Sequence, residues 1–96
     1  MARIPVRTRS IALRLYVAGT APNSVRAVAN AQSICDAHFL GRHELEVVDL
    51  LRHPDRGIDD GIIVTPTLIK LRPRPVTRLI GDLSDTTQVL AALGVT

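Results

Sequence analysis

The sequence predicts an α/β fold with element order β-α-β-α-β-β-α, and three stretches carry the prediction. In Ile11 to Ser24 an alternating apolar run passes through one glycine into a helix that starts on a proline. In Glu44 to Leu50 a second run with β-branched Val47 and Val48 at its centre follows that helix. In Ile62 to Ile80 a strongly apolar segment is interrupted by Pro73 and Pro75 and then resumes. Strand, helix, strand in the first half gives a parallel pair with a right-handed crossover; strand, Pro-rich turn, strand in the second gives an antiparallel hairpin.

Each element has a local reason. Ile11, Leu13, Leu15 and Val17 alternate with Ala12, Arg14 and Tyr16, the two-residue period of a strand with one apolar face. Pro22 suits the first position of a helix, where its missing N–H has no partner to lose. That helix is predicted to run to about Phe39, with Val25, Val28, Cys35 and Phe39 on its inner stripe and Gly41 as its left-handed exit. His53 and Pro54 mark a short, weak helix, because Gly57 and Gly61 each cost about 1 kcal/mol relative to alanine inside one. Thr67 to Leu71 reads as the third strand and Val76 to Ile80 as the fourth. Two prolines in Arg72-Pro73-Arg74-Pro75 cannot both donate to a ladder, so a turn lies between them. Asp85 and Gln88 have the spacing of a capping box, Val89, Leu90 and Leu93 form a stripe, and Gly94 stands where a last helix stops.

Composition sets bounds. The chain has 96 residues, 46% hydrophobic and only 2% aromatic, so one core must be built from aliphatic side chains and alanine. We expect residues 1–9 to be a flexible N-terminal arm and residues 10–96 a single domain. One cysteine excludes an internal disulfide, and the absence of a long apolar run or a signal-peptide layout leads us to expect a cytoplasmic protein with no membrane association. The net charge of +3 rests on eleven arginines and one lysine, which suits an acidic partner. Arg3, Arg7 and Arg9 make one patch and Arg72, Arg74 and Arg78 a separate one, and neither an aromatic stacking platform nor a helical reading head accompanies them. Solvated surface is therefore the better reading than nucleic acid binding.

The element order is that of thioredoxin, and Thr65-Pro66-Thr67 leading into the third strand resembles the cis-proline turn of that fold. The chemistry is not there. Disulfide exchange needs two cysteines at the start of the first helix, where the dipole activates a thiolate and a second thiol resolves the mixed disulfide. Here that turn reads Thr20-Ala21-Pro22-Asn23. Cys35 lies far down the helix on its apolar stripe and reads as a structural core residue. Cys35 and His38 lack a second pair to complete a tetrahedral metal site. Asp59, Asp60, Asp82 and Asp85 are accounted for by turns and capping. We expect no catalytic residue, no cofactor and no metal.

Four separated stretches are similar to the KaiB family of bacterial circadian clock proteins: LRLYVAGTAPNSVR at Leu13 to Arg26, VVDLLRHP at Val47 to Pro54, VTPTLIK at Val64 to Lys70, and PVTRLIGDLSD at Pro75 to Asp85. The resemblance implies a non-catalytic adaptor for a hexameric KaiC-type ATPase, with a histidine kinase whose sensor domain shares the fold as a second kind of partner. It also implies two alternative folds: a thioredoxin-like partner-binding state and a resting state, usually tetrameric, with a rearranged C-terminal half. The family pattern assigns partner contacts to Arg9, Asn23, Arg26, Lys70 and Arg78, and fold choice to Pro66, Ala92 and Gly94. Ala92 stands where cyanobacterial members carry glycine, and Gly94 where they carry aspartate; Ala91 and Ala92 favour helix by about 1 kcal/mol per replaced glycine. With the acidic tail of many members absent after Thr96, we expect the thioredoxin-like form, monomeric or dimeric rather than tetrameric. Glu46 replaces a usually basic position on the second strand, which should oppose binding of a KaiA-like acidic surface. Two rival functions stand beside the adaptor: a stand-alone sensor-type interaction module of a kinase pathway, and a redox protein using Cys35 alone.

Overall fold

The computed structural model describes residues 10–95. The predicted N-terminal arm, Arg9 included, lies outside them. The elements follow the predicted order: β1 Ile11–Val17, α1 Pro22–His38, β2 His43–Asp49, α2 Pro54–Asp59, β3 Thr67–Arg72, β4 Thr77–Ile80 and α3 Thr86–Ala92. The sheet has the order β2-β1-β3-β4, with β1 parallel to β2, antiparallel to β3, and β3 antiparallel to β4.

Lying second in the sheet, β1 is covered on both faces, not on one. Leu13, Leu15 and Val17 pack with Ala27, Ala31, Ile34 and Cys35 of α1 and with Val89 of α3, forming the larger core. Tyr16 packs with Val48 and Ile69 on the other face, where Leu50, Ile62 and Leu71 complete a smaller cluster. Complete burial of a side chain such as Leu15, 0% exposed, contributes about 1.5–3 kcal/mol.

The inner stripe of α1 differs from the prediction. Val25 is 53% exposed, and the buried residues are Ser24, Ala27, Ala31, Ile34 and Cys35. Small alanine side chains let the helix lie close on the sheet, so Val25 turns outward although it is the more apolar residue, while Val28 stays half-buried against the core as predicted. Gly57 also has a reason beyond propensity. A Cβ there would meet the Leu50 Cδ2 at 2.9 Å, so any side chain at this position would have to push the Leu50 methyls aside.

The second half closes as the turn chemistry requires. Thr65–Pro66 is cis, as are Arg72–Pro73 and Arg74–Pro75 in the hairpin turn. Asp85 caps α3, its Oδ1 accepting from the Gln88 N–H at 3.1 Å. At the other end the Gly94 N–H donates to the Ala91 carbonyl and the Val95 N–H to the Leu90 carbonyl. Those two bonds, with Gly94 at φ +89°, form the Schellman stop that ends a helix. The segment carrying Ala91 and Ala92 is therefore helical, in the thioredoxin-like arrangement rather than a rearranged one.

Candidate functional site

The β1–α1 turn occupies the place where this scaffold would hold chemistry, and hydrogen bonds fix it from two sides. The Ala18 N–H donates to the buried Ser24 Oγ at 3.0 Å, and the Gly19 N–H donates to Asp49 Oδ1 at 2.9 Å. The Leu51 N–H donates to the same oxygen, and these main-chain donors hold the Asp49 carboxyl below the usual carboxylate range. Gly19 adopts φ +53°, and a Cβ on it would lie 2.8 Å from Leu51 Cδ1. No nucleophile or base lines the turn, which carries only Thr20, Ala21, Pro22 and Asn23.

Past the turn, Asn23, Arg26 and Asn30 of α1 gather beside Asp82. The Arg26 guanidinium donates to Asn23 Oδ1, one turn earlier on α1, and its Nε donates to Asp82 Oδ2 at 3.3 Å. Asn30 reaches the Asp82 carbonyl at 2.8 Å. Asn23 and Arg26 are exposed, so they present one positive and one amide group beside the β4–α3 loop. Bonds from the Ser84 side chain and N–H, then Arg26, hold the Asp82 carboxyl low.

The predicted partner residues do not form one surface. Lys70 is 4% exposed, on the sheet face it shares with Leu68, and offers little of its charge to a partner. Arg78 stands on the opposite face and is exposed; its guanidinium donates to the main-chain carbonyls of Asp60 and Gly61. Pro66 is buried beside the hairpin, its carbonyl accepting from the Gly81 N–H at 3.0 Å.

A polar network on the second face has no counterpart in the sequence reading. Tyr16, 1% exposed, donates its hydroxyl to the Asp60 carboxylate, and it also lies 3.1 Å from the Arg56 carbonyl. Arg14 bonds Glu46 at 2.8 Å and Asp60 at 3.1 Å, and Arg56 closes the circuit on Glu46 at 3.0 Å. The Tyr16 hydroxyl and then Arg14 hold the Asp60 carboxyl low, while Arg14 and then Arg56 do the same for Glu46. Burial and the adjoining Asp60 raise the Tyr16 phenol. Asp60 is thus more than the turn residue its spacing suggested, because it ties the end of α2 to β1. Glu46 is likewise not a bare negative charge on the outer strand: the guanidinium groups of Arg14 and Arg56 both engage it. The signal in sequence was the pairing of Arg14 with Tyr16 two residues on, both on one face of β1.

Cys35 is fully buried in the main core. Burial, and then the neighbouring Asp36, push its thiol up to about 11, so little thiolate exists at neutral pH. Among the described residues no group of three metal-ligating side chains assembles, and no helix is long and apolar enough to cross a membrane.

The model of the KaiB domain family matches residues 14–95. The circadian clock oscillator protein KaiB of Synechococcus elongatus is 49% identical over 81 residues, covering 84% of this chain and 79% of the relative. That of Microcystis aeruginosa is 46% identical over 85 residues, covering 88% and 82%. Among solved structures, the N-terminal domain of Synechococcus elongatus SasA superposes with a TM-score of 0.71 at 26% identity, covering 95% of this chain and 90% of that one. Chloroplastic thioredoxin z superposes with a TM-score of 0.75 at 18% identity, covering 92% and 78%, a likeness of fold alone.

Proposed function

The chain belongs to the KaiB family, and from that premise we propose that it is a non-catalytic adaptor that docks on a KaiC-type hexameric ATPase in a timing or stress-response system. The observation that carries the reading is a thioredoxin-like scaffold with its reactive turn occupied by Thr20, Ala21, Pro22 and Asn23. The scaffold keeps the shape of a recognition surface while its one thiol is sealed in the core. The exposed pair Asn23 and Arg26, held by Asp82, supplies a fixed polar contact at the start of α1. Arg78 supplies a second positive contact on the hairpin. Lys70, being buried, is given a packing role instead. The adaptor needs no cofactor or metal and acts as a monomer or dimer.

The test is co-elution of the purified protein with the KaiC homologue of its own host in size-exclusion chromatography, with ATP and with ADP. A complex that depends on nucleotide is expected, weakened by Arg26→Ala. No shift of either protein under any nucleotide condition overturns the reading.

The likeness to the SasA N-terminal domain over nearly the whole of both chains favours one second reading, a stand-alone sensor-type module serving a histidine kinase pathway. Binding to a kinase or response regulator with no binding to the ATPase selects it.

A further inference from the structure

The two edges of the sheet are unlike each other. On the β2 edge, Glu44 and Glu46 are both engaged by arginines, Arg72 and Arg14, so charged side chains guard that rim. The β4 edge is guarded differently. Thr67 faces Ile80, Leu68 faces Leu79, Ile69 faces Arg78 and Lys70 faces Thr77 in the antiparallel ladder. The Gly81 N–H bonds the Pro66 carbonyl, which makes that a hydrogen-bonded pair. Alternation along the ladder then turns the main-chain groups of Leu79 and Thr77 inward to β3, and those of Arg78 and Ile80 outward. Among the described residues nothing takes up those outward N–H and C=O groups.

Apolar surface lies beside this open edge. Ile80 is 72% exposed, and the 61–64 segment places Ile63, 94% exposed, and Val64, 45% exposed, next to it. These residues with Arg78 and Thr67 line a shallow groove of about 120 Å³. Arg78 and Ile80 are two residues apart on one strand, so their side chains emerge on the same face, into that groove. Arg78 donates only to main-chain carbonyls and has no carboxylate partner among the described residues; Arg74, on the turn beside it, has none either.

We infer that the β4 edge is a strand-addition site for an extended segment of a partner protein that carries an acidic side chain two residues from an aliphatic one. Main-chain bonds to Arg78 and Ile80 hold the segment. Its carboxylate lies opposite Arg78, and its aliphatic side chain covers Ile80, Ile63 and Val64. The charge selects the occupant: a second copy of this chain would bring further arginines to an already positive rim, whereas an acidic strand neutralises it. The inference does not depend on the ATPase being the partner, since it rests on the edge and its charge alone.

A peptide reads the same in both strand directions if its sequence is Thr-Glu-Thr-Val-Thr-Glu-Thr, so it serves as the probe, acetylated and amidated. In ¹⁵N-resolved NMR of the whole protein at low salt, it is expected to shift the amides of Arg78, Ile80, Ile63 and Val64 and to slow hydrogen exchange at Arg78 and Ile80. Replacing both glutamates by lysine, or N-methylating the valine and glutamate amides, should weaken binding at least tenfold. Arg78→Glu should invert the preference between the acidic and basic peptides. The N-methyl comparison leaves the protein untouched, so it decides even if that variant is unstable. Equal binding of the three peptides, shifts centred on β2, or no shift at millimolar peptide would overturn the inference. So would protein self-association that protects the Ile80 amide, which would give the edge to a second copy.

Discussion

The hydroxyl of Tyr16, near the C-terminal end of β1, donates to the carboxylate of Asp60, which caps the end of α2. It joins the sheet to the short helix whose own propensity is weak. Tyr16→Phe keeps the ring and removes this bond, and hydrogen bonds to charged groups contribute about 1.5–3 kcal/mol. A loss of that size in urea unfolding is expected, with the fold retained. An unchanged midpoint would show that Asp60 is held by Arg14 alone.

The same network sets an acid limit. The carboxyls of Asp60 and Glu46 titrate below their ordinary range in the folded protein. The unfolded chain therefore takes up protons at higher pH, and the stabilisation is complete above about pH 5 and lost as pH falls through the folded values. The urea midpoint should rise from pH 2.5 to about 5 and then level off. Asp60→Asn should flatten that rise, leaving the part due to Glu46, Asp49 and Asp82.

At alkaline pH the sign reverses. The phenol of Tyr16 is raised, so its contribution is present below the ordinary tyrosine pKa of about 10 and lost as pH climbs through the folded value. Tyr16 is the single tyrosine of the chain, so absorbance at 295 nm follows it without interference. Ionisation above pH 10 in buffer, returning to the ordinary value in urea, is the expected pair of curves.

Cys35, with its thiol pushed up to about 11 and no exposed surface, should be inert to Ellman's reagent at pH 8 for as long as the protein stays folded. One equivalent should react on adding guanidinium. The protein should also fail to accelerate insulin reduction, and catalysis there would revive the single-cysteine redox reading.

Removing the α3 cap with Asp85→Ala should cost about 1 kcal/mol, and Ala92→Gly about the same. Carbon chemical shifts of residues 86–92 should report helix in the parent protein and in both variants, with lower unfolding midpoints in the variants. Strand shifts over Gln88 to Leu93 in the free parent protein would contradict the thioredoxin-like form.

Local signals in the chain were enough for the element order, because Pro22, Asp85 and Gly94 each act within a few residues of where they stand. They were enough for the empty reactive turn too, since an absent cysteine is visible without a structure. What escaped was set by tertiary packing. Val25 looks like a better core residue than Ala27, and only the closeness of helix to sheet reverses their ranking. Arg14 is separated from Glu46 by 32 positions and from Asp60 by 46, beyond the reach of any spacing rule. The burial of Lys70 followed from where β3 lies in the sheet, which element order alone does not give.

The turn from Ala18 to Thr20, anchored by Ser24 and Asp49, has a kinetic side. A loop that must be ordered on binding slows association and lowers affinity, whereas one already held by its own scaffold costs a partner little conformational entropy. A partner docking beside Asn23 and Arg26, as proposed above, meets a turn already held by its own scaffold. Its residence time is then set by the contacts it makes rather than by the refolding of the loop it lands on.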